Sequence, residues 1–274
     1  MSDEAHISLA KLGELADETV DTSLSQVALA LTAMARRSSR IGIHYPFEVT
    51  DGHIKVAEDA LEYPYTSLLV MTGTSPAGQY IEPTTQEFQN MAITFEQVTE
   101  EAVRSLLGPG SKALRFGHPS DIGRPSDFQE AIVWLAKRMG ADLGEDYKPP
   151  RFNDCGVDVV GWRPFPDGKP GMPVVLVQCT LQRDYTGKAG DVDLRQWAGW
   201  LDLRTPATAV LAIPGHVAVG EKWNEISRRS MILDRTRLAG LVGKLRSSEI
   251  HLELLATARD RIEQLAPLME AVNW

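Results

Sequence analysis

The chain has 274 residues, 43% of them hydrophobic and 24% charged, with a formal net charge of −9. That is enough apolar material for one large domain or two small ones, and no stretch approaches the ~20 apolar residues that span a bilayer. Two cysteines, Cys155 and Cys179, exclude a disulfide framework and a zinc site. The acidic, polar first residues lack the basic and apolar segments of a signal peptide, so the expected setting is reducing and cytoplasmic.

The charge is unevenly spread. Residues 1–110 hold 6 Lys/Arg against 16 Asp/Glu, and residues 111–274 hold 22 against 21. Net acidity counts against a nucleic-acid partner, but it sits mostly in the N-terminal part. Lys222 to Arg246 carries seven basic residues and two acidic ones, which read as a solvated helix face or as phosphate contacts.

In chain order, Leu24, Val27, Ala28, Leu31, Met34 and Ala35 have helical spacing and predict a helix over 22–40. Residues 46–56 predict a hairpin turning at Asp51-Gly52. His44 and Tyr45 precede Pro46 and read as structural. Thr66–Thr72 is a short apolar run and is expected to be a buried strand. Residues 84–107 read as a helix ending before Gly108-Pro109-Gly110, where a domain boundary is placed. The division is therefore 1–112, a smaller α+β region, and 113–274.

The second part begins with Ser126-Asp127-Phe128-Gln129, read as a capping box with Ser126 at the N-cap. Phe128, Ala131, Ile132, Leu135 and Met139 form one apolar face, and Gly140 stops the helix. Asp154 and Gly156 make a turn into a strand ending at Trp162. Pro166 to Gly171 is a dense turn, and Val174–Val177 is β-branched, as in a strand buried on both faces. Residues 190–203 read as a helix, 208–213 as a strand, and 221–246 and 249–271 as helices. The order α-β-β-α-β-α-α implies a hairpin, then a helical crossover to a strand parallel to one of its members. The expected class is α/β with a mixed sheet. Trp162, Trp197, Trp200 and Trp223 are expected in the core. His216, after Pro214-Gly215, is read as a loop histidine near a strand end.

Phe128-Gln129 with Met139-Gly140, then Asp154-Cys155-Gly156-Val157-Asp158, then Val177-Gln178-Cys179-Thr180 resemble the PD-(D/E)XK restriction-endonuclease-like superfamily. Within it they are most similar to the Mrr-like branch, which has glutamine as the second ligand. The resemblance covers residues 113–240. It implies an α-β-β-α-β core and a nuclease that hydrolyses phosphodiester bonds, DNA above all, in bacterial defence. Its partners would be nucleic acid, a protein of a defence complex, or further copies of the chain, with no membrane.

By that resemblance Asp158 and Gln178 are the ligands of Mg²⁺ or Mn²⁺, a hard cation suited to oxygen donors. The ion would lower the pKa of a water and stabilise charge on the phosphate. Thr180 stands where the family has its lysine. Lys188 is the preferred substitute, with Arg183 the alternative, because arginine cannot exchange its proton. Gln129 falls at the place of the helix acid, and Glu130 lies one residue off. The departure at Thr180 keeps a second reading open: a catalytically degenerate nuclease fold serving as a nucleic-acid-binding or assembly subunit.

Overall fold

The computed structural model describes residues 6–8, 20–50, 53–73, 82–120, 122–144, 155–243 and 249–270. The chain divides into two compact units, Met1–Thr84 with Val242–Trp274, and Thr85–Leu241. The turns at Asp51-Gly52 and at Asp154 lie outside the described residues.

In the first unit, strand β1 (His6–Ser8) pairs antiparallel with β3 (His53–Val56), which pairs with β2 (Phe47–Thr50). Helix α1 (Val20–Ile41) follows the period of its apolar residues. The run at 66–72 is a helix, not a strand. It forms α2 (Pro64–Met71), with Pro64 in its first turn, and its buried residues Pro64, Tyr65, Ser67, Leu68 and Met71 recur at helical spacing. Length and hydrophobicity do not separate a short buried strand from a short buried helix. The last helix, α8 (Glu249–Glu270), packs on α2. Tyr45 is buried, its ring edge-on to Phe47 and Tyr65.

The second unit is an α/β layered structure. It opens with α3 (Thr85–Leu107), which lies on β4 (Lys112–Arg115) and β6 (Val159–Trp162). The boundary expected at 112/113 is therefore displaced. Gly108-Pro109-Gly110 is a tight connection from helix to strand, with both glycines at positive φ and Ser111 N–H donating to the Gly108 carbonyl at 3.1 Å.

Five strands form a mixed sheet in the order β10 (Met231–Leu233), β9 (Thr208–Ala212), β7 (Val174–Cys179), β6, β4. Strand β6 is antiparallel to both neighbours, whereas β7, β9 and β10 run parallel. The hairpin and the parallel return strand thus form as the turn at 166–171 and the intervening helix imply. That helix is α5 (Leu194–Trp200), capped by Asp193, whose side chain accepts from the Arg195 and Gln196 N–H groups. A two-stranded pair, β5 (Asp142–Leu143) with β8 (Leu201–Asp202), completes the strands.

Two expectations change. Helix α4 (Phe128–Met139) is capped by Asp127, not Ser126, and Asp127 accepts from the Glu130 N–H at 3.0 Å. The single helix expected over 221–246 is α6 (Glu221–Ser227), then β10, then α7 (Arg235–Val242). Ile232 and Leu233 are buried, because extending the sheet beside β9 covers them.

The core on one side of the sheet holds Phe116, Phe128, Trp197 and Trp200 in edge-to-face contacts. Trp162, Trp197 and Trp200 are buried as expected, while Trp223 is only half-buried. On the α3 side, Gly161 lets the helix approach closely: a Cβ there would stand 2.2 Å from a Val103 methyl.

Candidate active site

The strand register brings the two expected ligands together. Val159 faces Val177 across the antiparallel pair, so Asp158, one residue earlier, lies opposite Gln178. The chain ties them at that point. Asp158 N–H donates to the Val177 carbonyl at 2.8 Å, and the Cys179 N–H donates to Asp158 Oδ2 at 2.7 Å. The Asp158 carbonyl accepts from the Phe116 and Gly117 N–H groups. Asp158 is thus fixed at the start of its strand by β4 on one side and β7 on the other.

Asp158, Gln178, Thr180 and Lys188 line one cleft of about 300 Å³, together with Glu96 and Phe95 of α3. Gln129 and Glu130 do not. Both are exposed on the first turn of α4, and Glu130 supplies the N–H that Asp127 caps. The helix that brings an acid to the cleft is α3, not α4. Glu96 is held by a buried ion pair, Arg115 Nη1 to Glu96 Oε2 at 3.0 Å, with Arg115 only 4% exposed.

Gln178 is 8% exposed. Its Nε2 donates to Asp191 Oδ2 at 3.4 Å, and its Oε1 is buried with no hydrogen-bond partner among the described residues. An unmet buried carbonyl oxygen costs about 1–3 kcal/mol, so this atom suits a ligand that the cleft would admit. The Lys188 amine donates to the same Asp191 oxygen at 3.0 Å. Asp191 therefore gathers Lys188 and the Gln178 amide, and turns the glutamine oxygen away from itself. Gly156, at positive φ, allows this closeness: a Cβ there would meet the Asp191 carbonyl oxygen at 3.0 Å. Thr180 is buried and its hydroxyl accepts from the Gln182 N–H, so it brings no charge.

Burial raises the pKa of the Cys179 thiol well above the ordinary value, and the negative charges of Asp158 and Glu96 raise it further, against a hydrogen bond with Thr99. Among the described residues no three of His, Cys, Asp and Glu gather as a metal cluster. The donors that fit a cation are mixed, one carboxylate from Asp158 and one amide oxygen from Gln178.

Glu96 and Asp191 were not singled out in the sequence. Glu96 lies on an amphipathic helix whose register makes it look like a solvated acid, and Asp191 follows a glycine-rich turn. Farther along the same sheet end, His216 Nδ1 lies 2.9 Å from Asp234 Oδ2, so it is a tethered histidine and not a loose loop residue. Asp234 also accepts from the Val217 and Arg237 N–H groups.

No family model matches this chain, and no curated protein matches it. Among solved structures it is similar to the MspJI restriction endonuclease in complex with a 27-mer oligonucleotide, at 14% identity and a TM-score of 0.25. The alignment covers 68% of this chain and 39% of that one, so the chain spans well under half its length. A similarity this slight carries neither fold nor activity across. Among the described residues, no helix is long and apolar enough to cross a membrane.

Proposed function

We propose that the chain is a metal-dependent nuclease that hydrolyses phosphodiester bonds in DNA, built on a restriction-endonuclease-like core. The observation that supports this most is the shared cleft, lined by Asp158, by a buried Gln178 with an unmet oxygen, and by Lys188. Asp158 and Gln178 would hold Mg²⁺ or Mn²⁺. Such an ion, when bound, activates water and offsets charge on a phosphate. Asp158 supplies the formal charge, held in place by the Cys179 N–H. Lys188 supplies a proton-bearing nitrogen beside the cleft, and Asp191 orients both Lys188 and the Gln178 amide. Superfamily resemblance extends the proposal to defence against foreign DNA, with a protein partner or as a homo-oligomer.

The test is cleavage of plasmid, linear and single-stranded DNA, and of RNA, with Mg²⁺ and with Mn²⁺, by wild type and Asp158→Ala. Cleavage that needs metal and vanishes in Asp158→Ala is the expected result. Absence of both cleavage and metal binding by calorimetry would end this reading.

A second reading is a catalytically degenerate module that binds nucleic acid or assembles with a partner. It is favoured by the buried, uncharged Thr180 and by the tie of Lys188 to Asp191. Metal binding without cleavage, unchanged in Lys188→Ala, would select it.

A further inference from the structure

We propose that a nucleic-acid strand leaves the cleft past Lys188 and along two cations seated on aromatic rings, Lys222 on Tyr185 and Arg237 on Trp223. The assignment of the partner rests on the nuclease reading above; the row itself rests on its own contacts.

Tyr185 and Trp223 both pack against one apolar cluster that includes Ala189, Ile226 and Ile232. Lys188 lines the cleft, and its backbone N–H donates to the Tyr185 carbonyl at 3.1 Å. The Lys222 amine stands 4.0 Å from the Tyr185 ring centre. Trp223 is the next residue, and the Arg237 guanidinium lies 4.7 Å from its ring centre. Arg237 Nη1 also donates to the Ile232 carbonyl at 2.7 Å, so its plane is set at two points. All three segments follow parallel strands: Tyr185 comes after β7, α6 after β9 and Arg237 after β10. Both rings share that cluster with Leu211 and Ile213, at the sheet end that also bears Gln178.

Charge and order argue for phosphate. Lys222 and Arg237 are exposed, their rings are half-buried, and neither cation forms an ion pair among the described residues. Glu221 and Glu225 share helix α6 but do not pair with Lys222. Exposed lysines and arginines ordinarily lose side-chain entropy when they bind. Here the rings hold them in advance, which lowers that cost. Arg228 and Arg229, also exposed, add charge just beyond the helix.

The test is fluorescence anisotropy of labelled single-stranded and duplex DNA with EDTA present, so that nothing is cut, across a range of salt. Wild type is compared with Lys222→Gln/Arg237→Gln and with Lys169→Gln, a lysine in the turn between β6 and β7. The row variant is expected to bind at least about tenfold more weakly. Its slope of log K against log salt should fall by about 1.4–1.8, two phosphate contacts' worth. Lys169→Gln should match wild type. Tyr185→Leu/Trp223→Leu, which keeps the cations and removes their seats, should also weaken binding.

No binding of either DNA by wild type overturns the proposal, as does a row variant that binds like wild type while keeping the wild-type melting temperature. Equal affinity for poly-glutamate, lost in the same variant, would overturn the nucleic-acid assignment in favour of an acidic protein. The two readings fail separately. Row-dependent binding without metal-dependent cleavage sinks hydrolysis and keeps the row. Cleavage with KM unchanged in the row variant sinks the row and keeps hydrolysis.

Discussion

Arg115→Ala removes the guanidinium that faces Glu96 beneath the cleft. The pair is 3.0 Å apart, with Arg115 4% and Glu96 13% exposed, so water screens it little. Breaking a buried pair from one side costs about 3–5 kcal/mol, because a charge stays behind in a poorly solvated place. Arg115 also donates to the Pro119 carbonyl at 2.5 Å, which adds to the loss. The expected destabilisation is therefore about 3–5 kcal/mol, a fall in melting temperature on the order of 10 °C for a unit of this size. Urea unfolding at pH 7 measures it, in 0.1 M and 0.5 M salt, with Glu96→Gln and the double variant closing a cycle. The coupling energy should reach about 1–3 kcal/mol. It should persist in high salt, since buried pairs are screened much less than exposed ones. A loss under about 1 kcal/mol, or one that disappears in 0.5 M salt, would refute the idea that this pair fastens α3 to β4.

Three further outcomes follow from packing, linkage and positioning. Gly161→Ala places a Cβ 2.2 Å from a Val103 methyl and 3.0 Å from a Val175 methyl; overpacking should cost about 1–3 kcal/mol in urea unfolding, and adding Val103→Ala should recover part of it. Asp234→Ala removes a buried carboxylate whose ionisation burial opposes, but whose pKa hydrogen bonds from His216, Arg237 and Val217 hold below the ordinary 3.8. A depressed folded pKa gives stability that is complete above the unfolded value and lost as pH falls through the folded one. The wild-type advantage, about 2–4 kcal/mol from the buried hydrogen bonds, should thus be full at pH 5 and shrink as pH falls below the ordinary carboxyl value of 3.8. A gap that does not change between pH 7 and 3 would contradict it. Asp191→Ala frees both Lys188 and the Gln178 amide, so Mn²⁺ affinity measured by calorimetry should drop about 10–100-fold; unchanged affinity would show that Asp191 does not orient the glutamine.

The hairpin and its parallel return strand were legible because β6, β7 and β9 are apolar runs between strong turn signals, and a helix between β7 and β9 leaves few ways to connect them. Asp158 and Gln178 were picked out by the superfamily resemblance, and the register sets them opposite each other at the open end of that hairpin. What stayed hidden was set by contacts between elements. Ile232 and Leu233 look like any apolar pair between helical stretches until β9 stands beside them. Glu96 and Arg115 are 19 residues apart, and Gln178 and Asp191 are 13 apart, distances at which no helical or strand period links two side chains. The superfamily resemblance puts Gln129 at the place of the helix acid. The helix capped by Asp127 instead buries Phe128 and turns Gln129 and Glu130 to the surface.

The same contacts bear on how strongly the cleft would hold a cation. Glu96 meets Arg115 and Asp191 meets Lys188, so two of the nearby carboxylates are already matched by basic groups. Asp158 and Gln178 together offer one formal charge and one neutral oxygen, where a pair of acids would offer two charges. Affinity for a hard cation falls as the ligand charge count falls. The basic group, at Lys188 and not at the strand position of Thr180, is held by the acid that also orients the glutamine. Weak, millimolar binding of Mg²⁺ is therefore expected, with Gln178→Glu tightening it at least about tenfold in calorimetry. A Gln178→Glu variant that binds metal no better than wild type would mean that Oε1 does not face the ion, and the glutamine would lose its place as second ligand.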